Sequence, residues 1–200
     1  MRHFYVKSTK GKTCGDFNLN DTAGGAGRLD IIARSVNSAF WLSHSLRTDV
    51  NFHTILFGEP NPPIYIEIVG EKVRKVQPDE RNITIFLKKA IERFNEARFT
   101  QTTPGIYSGR RTFNEMLEKH KDCDFYLLSE DGDDISEVEI SDNAFFILGD
   151  KEDLTPREIE VVEGYGAKKI SIGKTPYLTS HCIGFLNVYL DMVSEKKSVY

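Results

Sequence analysis

The sequence predicts an α/β protein built on a mainly parallel sheet with flanking helices. Apolar strand-like stretches alternate along the chain with stretches of helical spacing. Two of the strand-like stretches, AFFILG (144–149) and KKISIG (168–173), each end in a glycine and are each followed by a helical pattern. Phe145 to Leu148 is an unbroken apolar run, as expected for a strand covered on both faces. Open sheets of this class bind ligands beyond the carboxyl ends of their strands. The loops after Gly149 and Gly173 are therefore the first candidates for a site.

Taken in order, His3 to Ser8 reads as a first strand and residues 10–27 as a loop rich in Gly, Asn, Asp and Thr. Leu29, Ile32, Val36 and Phe40 recur at helical spacing, in a helix expected to fade near Leu46 with His44 and Arg47 at its negative end. Asn51 to Gly58 and Ile64 to Val69 read as strands, followed by a polar loop over 71–80. Ile83, Leu87, Ile91 and Phe94 predict a helix over 82–98, and Pro104, Gly105 and Gly109 predict a break over 100–109. A short helix is expected over 112–120, a short buried strand over 125–128 and an acidic connection over 129–142, partly extended at 138–140. Thr155, Pro156 and Glu158 spell an N-cap, a first-turn proline and a capping box. The last helix carries Ile183, Leu186, Leu190 and Val193 on one face, with Phe185, Val188 and Tyr189 beyond it.

Two hundred residues, 40% of them hydrophobic, suffice for one large domain with a true core. No apolar run reaches the 18 residues of a membrane span, and the N-terminus lacks the apolar stretch of a signal peptide. Cys14, Cys123 and Cys182 form neither a disulfide framework nor a zinc pattern, which points to a reducing cytoplasm. The net charge of −4 is unevenly spread. Residues 1–120 hold 18 Lys and Arg against 13 Asp and Glu, and residues 121–200 hold 8 against 17. A partner bearing phosphates would meet the first part, unless the asymmetry is merely solvated surface.

Leu128, Ile172 and Leu178 could wall an adenine ring, while Gly149, Gly173 and Cys182 border the same loops. By spacing alone they read first as sheet-end glycines and core aliphatics. No GxGxxG loop is present, and Gly24-Gly25-Ala26-Gly27 follows no strand of a βαβ unit. His181 adjoins Cys182, but consecutive helical residues do not face each other, so Cys182 reads as a small wall residue rather than a nucleophile. Arg28 and Asp30 lie where a glycine loop enters a helix; Asp30 is either a helix-start charge or a group near a substrate. Asp79, Glu80 and Arg81 read as an ion-paired helix start. Arg34, Arg47, the Arg110–Arg111 doublet and Lys72, Arg74 and Lys75 are candidate phosphate contacts. Ser43, His44 and Asp49 lack a nucleophile elbow, and the five histidines lack metal-ligand spacing, so no metal is expected.

FILGD, the SIG turn and HCIGFLN with its following LD resemble the C-terminal region of SPOUT-class RNA methyltransferases. With GRLDIIARSVNSAFWLSHSLRTDV (27–50) and VQPDERNITIFLKKAI (76–91), the ordered set is most similar to the tRNA pseudouridine-54 N1-methyltransferase family and spans nearly the whole chain. The loop GGAGR departs from the family pattern in lacking a proline or serine before Gly27-Arg28.

That resemblance implies a single SPOUT domain, with a substrate-binding part over about 1–120 and a trefoil-knotted part over about 121–200 that binds S-adenosylmethionine through backbone contacts. It implies methylation of N1 of pseudouridine 54 in the T-arm of tRNA by a homodimer, without metal or membrane. Asp30 would accept the N1 proton, its pKa raised by burial against the substrate, or orient the base by accepting a hydrogen bond. Arg28 would hold the base or a phosphate, and the pair would serve the partner subunit's cofactor. Two alternatives are an N1-methyltransferase of ribosomal pseudouridine and a non-catalytic SPOUT-like RNA-binding or assembly protein. A nicotinamide-dependent oxidoreductase is disfavoured by the missing glycine fingerprint.

Overall fold

The computed structural model describes residues 1–197. Its elements in chain order are β1 (Arg2–Ser8), α1 (Leu29–Phe40), β2 (Val50–Leu56), β3 (Ile64–Val69), α2 (Glu80–Glu92), β4 (Thr100–Thr103), β5 (Ile106–Gly109), α3 (Phe113–Lys119), β6 (Asp124–Asp134), β7 (Ala144–Leu148), α4 (Pro156–Gly164), β8 (Lys168–Ser171) and α5 (Thr179–Lys197). The strands form one sheet in the order β4-β5-β3-β2-β1-β7-β6-β8. From β2 to β8 every neighbour is parallel; β3, β5 and β4 extend the other side antiparallel. The expected class, α/β with a mainly parallel sheet and flanking helices, is the observed one.

Strand side chains alternate between two cores. Phe4, Val6, Phe52, Ile66, Phe146 and Ile170 point to the core that holds α1, α2 and α5. Tyr5, Ile55, Tyr65, Phe145 and Ile147 point to the core that holds α3 and α4. Helix α5 docks on α1 through Ile183 and Leu186, both fully buried. Asn187 locks that contact: its amide donates to the Ser38 and Ala39 carbonyls, and its side-chain oxygen accepts from Arg2.

Several boundaries differ from the sequence reading. Helix α1 stops at Phe40, because Trp41 turns extended and bridges Leu46. The Arg47 amide then closes the turn onto the Phe40 carbonyl at 2.8 Å. Helix α2 starts early, with Asp79 capping the Asn82 amide, and ends at Glu92, where Arg93 reaches the Thr102 carbonyl. The expected break over 100–109 is a β4–β5 hairpin, with Pro104 and Gly105 (φ 76°) as its two-residue turn. Strand β6 runs on into the acidic connection, re-pairing with β8 after a bulge between Leu128 and Asp133. The capping box of Thr155 and Glu158 forms as read, and Glu158 also takes a 2.8 Å bond from Lys7.

Asp191 of α5 is the counter-charge for two poorly exposed arginines, Arg2 (2.8 Å) and Arg47. Desolvation pushes its carboxyl pKa up, but the bonds from Arg47 and Arg2 outweigh it and hold the group below the usual range. Asp191→Ala is expected to cost roughly 1–3 kcal/mol in urea unfolding by leaving the poorly exposed Arg47 without its carboxylate and Arg2 with only Asp49 and Asn187. A lowered folded pKa stabilises the fold fully above about pH 3.9, and that contribution is lost as the pH falls through the folded value. The variant's stability curve should therefore converge on that of the parent at low pH; a constant gap would contradict this account.

Candidate active site

The carboxyl ends of β6, β7 and β8 open into a cleft of about 380 Å³. Leu127 and Leu128 stand just before the bulge of β6, Leu148 ends β7 with Gly149 next to it, and Ile172 and Gly173 follow β8; Leu154 and Ile159 add apolar wall. Gly173 has φ 118°, a conformation open to glycine, and a Cβ there would meet nothing within 4 Å. Its backbone thus lies bare on the cleft rim. Glu130, Asp131, Asp150 and Asp153 supply carboxylates to the rim, and Thr179 and Cys182 supply the first turn of α5.

Hydrogen bonds hold the three loops together. Thr179 Oγ1 donates to the Gly149 carbonyl at 2.8 Å, fastening α5 to the end of β7. Asp150 accepts from the Thr9 amide (2.8 Å) and hydroxyl (3.1 Å), fastening β7 to the end of β1. The Cys182 thiol is buried and its pKa is raised by desolvation, so it is a neutral wall group.

A second cavity of about 270 Å³ adjoins the first and shares Asp150, Tyr177 and Thr179 with it. Arg28, Ile31, Arg34, Lys151, Leu178 and Ser180 complete its lining. Gly27 and Arg28 are successive left-handed residues (φ 66° and 69°), and a Cβ on Gly27 would fall 1.8 Å from the Lys10 carbonyl oxygen. Asp21 braces the loop by accepting from the Gly24 and Gly25 amides. Arg28 emerges as the N-cap of α1 and grips Asp30 with two bonds, 2.9 and 3.1 Å. Arg34, one turn on, bonds the same carboxylate at 2.6 Å and Glu80 at 3.3 Å.

Asp30 is 4% exposed. Desolvation pushes its pKa up, but the bonds from Arg28 and Arg34 outweigh it, and the carboxyl is held below its ordinary value. In the chain by itself two guanidinium groups thus keep Asp30 ionised, against the rise that burial alone would bring.

The structure brings Leu128, Gly149, Ile172, Gly173 and Cys182 together on one cleft. Leu178 is outside it; the chain turns there to start α5, its carbonyl taking the His181 and Cys182 amides, and the side chain faces outward beside Arg34. Arg28, Asp30 and Arg34 form the second cluster. Arg47 is not offered to a phosphate, because it is spent on Asp191 with its side chain 10% exposed. Arg110 and Arg111 follow β5, four strand spacings or roughly 20 Å from β7. There Arg110 pairs with Glu96, and Arg111 stacks on Tyr65 and Phe99. Asp150, Tyr177 and Thr179, which the two cavities share, were not picked out by sequence, although Asp150 directly follows the strand-ending Gly149.

The chain matches, over residues 1–194, the model of a family described as "Putative SAM-dependent RNA methyltransferase". A relative from Methanocella arvoryzae named tRNA (pseudouridine(54)-N(1))-methyltransferase is 46% identical over 94% of this chain and 97% of its own. Relatives of the same name from Methanocaldococcus jannaschii and Thermococcus kodakarensis are 41% and 40% identical, each over 96% of this chain and 97% and 99% of theirs. Among solved structures, Archaeoglobus fulgidus Nep1 bound to S-adenosylhomocysteine shares the fold with a TM-score of 0.65, at 12% identity over 97% of this chain and 98% of that one. Matched over nearly its whole length, the protein belongs to the family of S-adenosylmethionine-dependent tRNA (pseudouridine(54)-N(1))-methyltransferases.

Proposed function

We propose that this protein methylates N1 of pseudouridine 54 in the T-arm of tRNA. In this reading the cofactor lies in the cleft at Leu128, Gly149, Ile172, Gly173 and Cys182, and the target base lies in the Arg28–Arg34 cavity. One observation carries it: the two cavities abut and share Asp150, Tyr177 and Thr179. The lining fits S-adenosylmethionine. Leucine and isoleucine walls suit adenine, a bare glycine backbone suits close approach, and rim carboxylates suit ribose hydroxyls and a positive sulfonium.

Bound there, S-adenosylmethionine supplies an activated methyl group, so the protein's own task is to orient the base and let its N1 proton go. Arg28 and Arg34 present positive charge to a base carbonyl or a backbone phosphate. Asp30, ionised and gripped by both, fixes their direction and is a positioning residue. The Arg28 cluster shares its cavity with the same chain's Asp150 loop. The N-terminal part to about residue 120 is assigned to substrate and the remainder to the cofactor.

A homodimer and a trefoil knot belong to the same proposal. Phe185, Val188 and Met192 form an exposed apolar stripe on α5, with Leu178 just before the helix, each 45–58% accessible, a surface suited to a two-fold contact. The chain leaves β8 beside β6 and comes back to Gly149 of β7 before entering α5, the kind of return a knot needs. No helix among the described residues is long and apolar enough to cross a membrane. The cytoplasm, where tRNA and S-adenosylmethionine meet, is the compartment proposed.

Labelled S-adenosylmethionine should transfer its methyl to a T-arm stem-loop carrying pseudouridine at the target position and not to the uridine version. Label on neither RNA, despite cofactor binding, would sink the tRNA assignment. Asp30→Asn is expected to lower kcat/KM about 100-fold by loosening Arg28 and Arg34. The parent's rate should show no inflection from a carboxylate between pH 5 and 7; one there would restore Asp30 as the proton acceptor. Gly27→Ala should lower transfer more than cofactor affinity, since it displaces the Arg28 loop and its Lys10 neighbour and leaves the ends of β7 and β8 in place. Val188→Glu should convert a dimer to a monomer in sedimentation equilibrium, and a monomeric parent would overturn the dimer.

A further inference from the structure

Three histidines that are far apart in sequence meet on the sheet face covered by α3 and α4. His3 Nδ1 and His53 Nε2 are 2.9 Å apart. The potential ligand nitrogens of His3, His53 and His120 all lie within 4.8 Å of one another. His120 Nε2 is buried without any hydrogen-bond partner, an unsatisfied state that folded proteins rarely keep. The rings are held from behind: Phe145 stacks on both His3 and His53. His53 Nδ1 sits 2.7 Å from the Tyr65 hydroxyl and 3.9 Å from the Glu67 carboxylate. An imidazole whose second nitrogen is fixed by an outer polar partner is the usual arrangement of a metal-binding histidine.

We propose that His3, His53 and His120 form a binding site for one divalent transition-metal ion of the zinc type. Three imidazoles with a fourth position left for water is a common zinc set. Bonds of about 2.0–2.1 Å put tetrahedral ligand nitrogens roughly 3.3 Å apart. The His3–His53 pair therefore opens by a few tenths of an ångström, and His120 moves in. His120 follows the last turn of α3 and is only half-buried, so it has room to do so. Burial holds His3 down to about 4, His120 to about 3 and His53 well below its ordinary value, so all three are neutral, as ligands must be.

The charges around the triad are mixed. Lys119 and Arg111 oppose a cation; Lys119 is neutralised by Glu67 at 2.9 Å, and Arg111 is turned onto Tyr65 and Phe99. The triad lies at the amino end of β1 and the middle of β2, whereas the cleft lies beyond the carboxyl ends of β7 and β8. A metal here would therefore clamp β1, β2 and the α3–β6 turn together and take no part in methyl transfer.

The test uses the full chain, stripped with a chelator and titrated with cobalt chloride and then zinc chloride. One equivalent of cobalt should bind with the strong visible bands of a tetrahedral site, be displaced by zinc, and raise Tm. His120→Ala should weaken binding about tenfold or more, while His44→Ala, outside the cluster, should not. No visible bands with the parent, or equal binding by His120→Ala, would overturn the site. X-ray absorption of the zinc-loaded parent decides the matter without any variant: three imidazoles in the first shell support it, and an oxygen-only shell refutes it.

Discussion

The parallel pairing of β1 with β7 is the constraint on which the rest of the structure depends. It joins the first strand of the chain to the strand that ends at Gly149, in register from Arg2–Ala144 to Val6–Leu148. Phe4 and Phe146 stack across it at 5.4 Å on one face, while Tyr5 and Ile147 fill the other. Because β1 also pairs with β2, the two ends of the sequence share one sheet and one carboxyl edge. Ser8 and Leu148 finish close together, so Thr9 can hold Asp150, and the loop bearing Arg28 meets the loop bearing Gly149. Without that register there would be two clusters of residues and no common site.

At that edge the balance of electrostatic effects assigns the roles. Burial alone would make Asp30 a weak acid suited to taking a proton. Two guanidinium groups within hydrogen-bond distance reverse the sign, so the carboxylate stays charged and the arginines stay aimed. At Cys182 no cation is near enough to oppose burial, and the thiol stays neutral. Similar burial thus gives opposite outcomes a few residues from one cleft, and the difference lies in the partners.

Much of this was legible in the sequence, wherever the signal was local. The unbroken apolar run to Leu148, the box at Thr155 and Glu158, and the apolar face of α5 each carry their cause within a few residues. Pro104 and Gly105 were legible as punctuation but not as a hairpin turn, since the flanking TQTT and IYSG are too short and polar to announce strands. The acidic end of β6 hid for a related reason: its pairing to β8 rests on backbone bonds that side chains do not advertise. Arg47 read as a free cation because its partner, Asp191, is 144 residues away. Spacing could not reveal the histidine triad, because strand register and a helix end bring it together.

Asn187 has a reach beyond its own contacts. Its amide ties α5 to the last carbonyls of α1, and its oxygen ties it to Arg2, at a point where hardly any water enters. A helix held this way cannot rotate about its axis without stranding polar groups in the interior. The rotation of α5 also decides that Phe185, Val188 and Met192 look outward and that Cys182 looks into the cleft. A single buried amide thus sets the phase of the helix for two surfaces at once. Any assembly formed through the outer stripe takes its angle from the interior, and a change in that angle would be felt at the cleft.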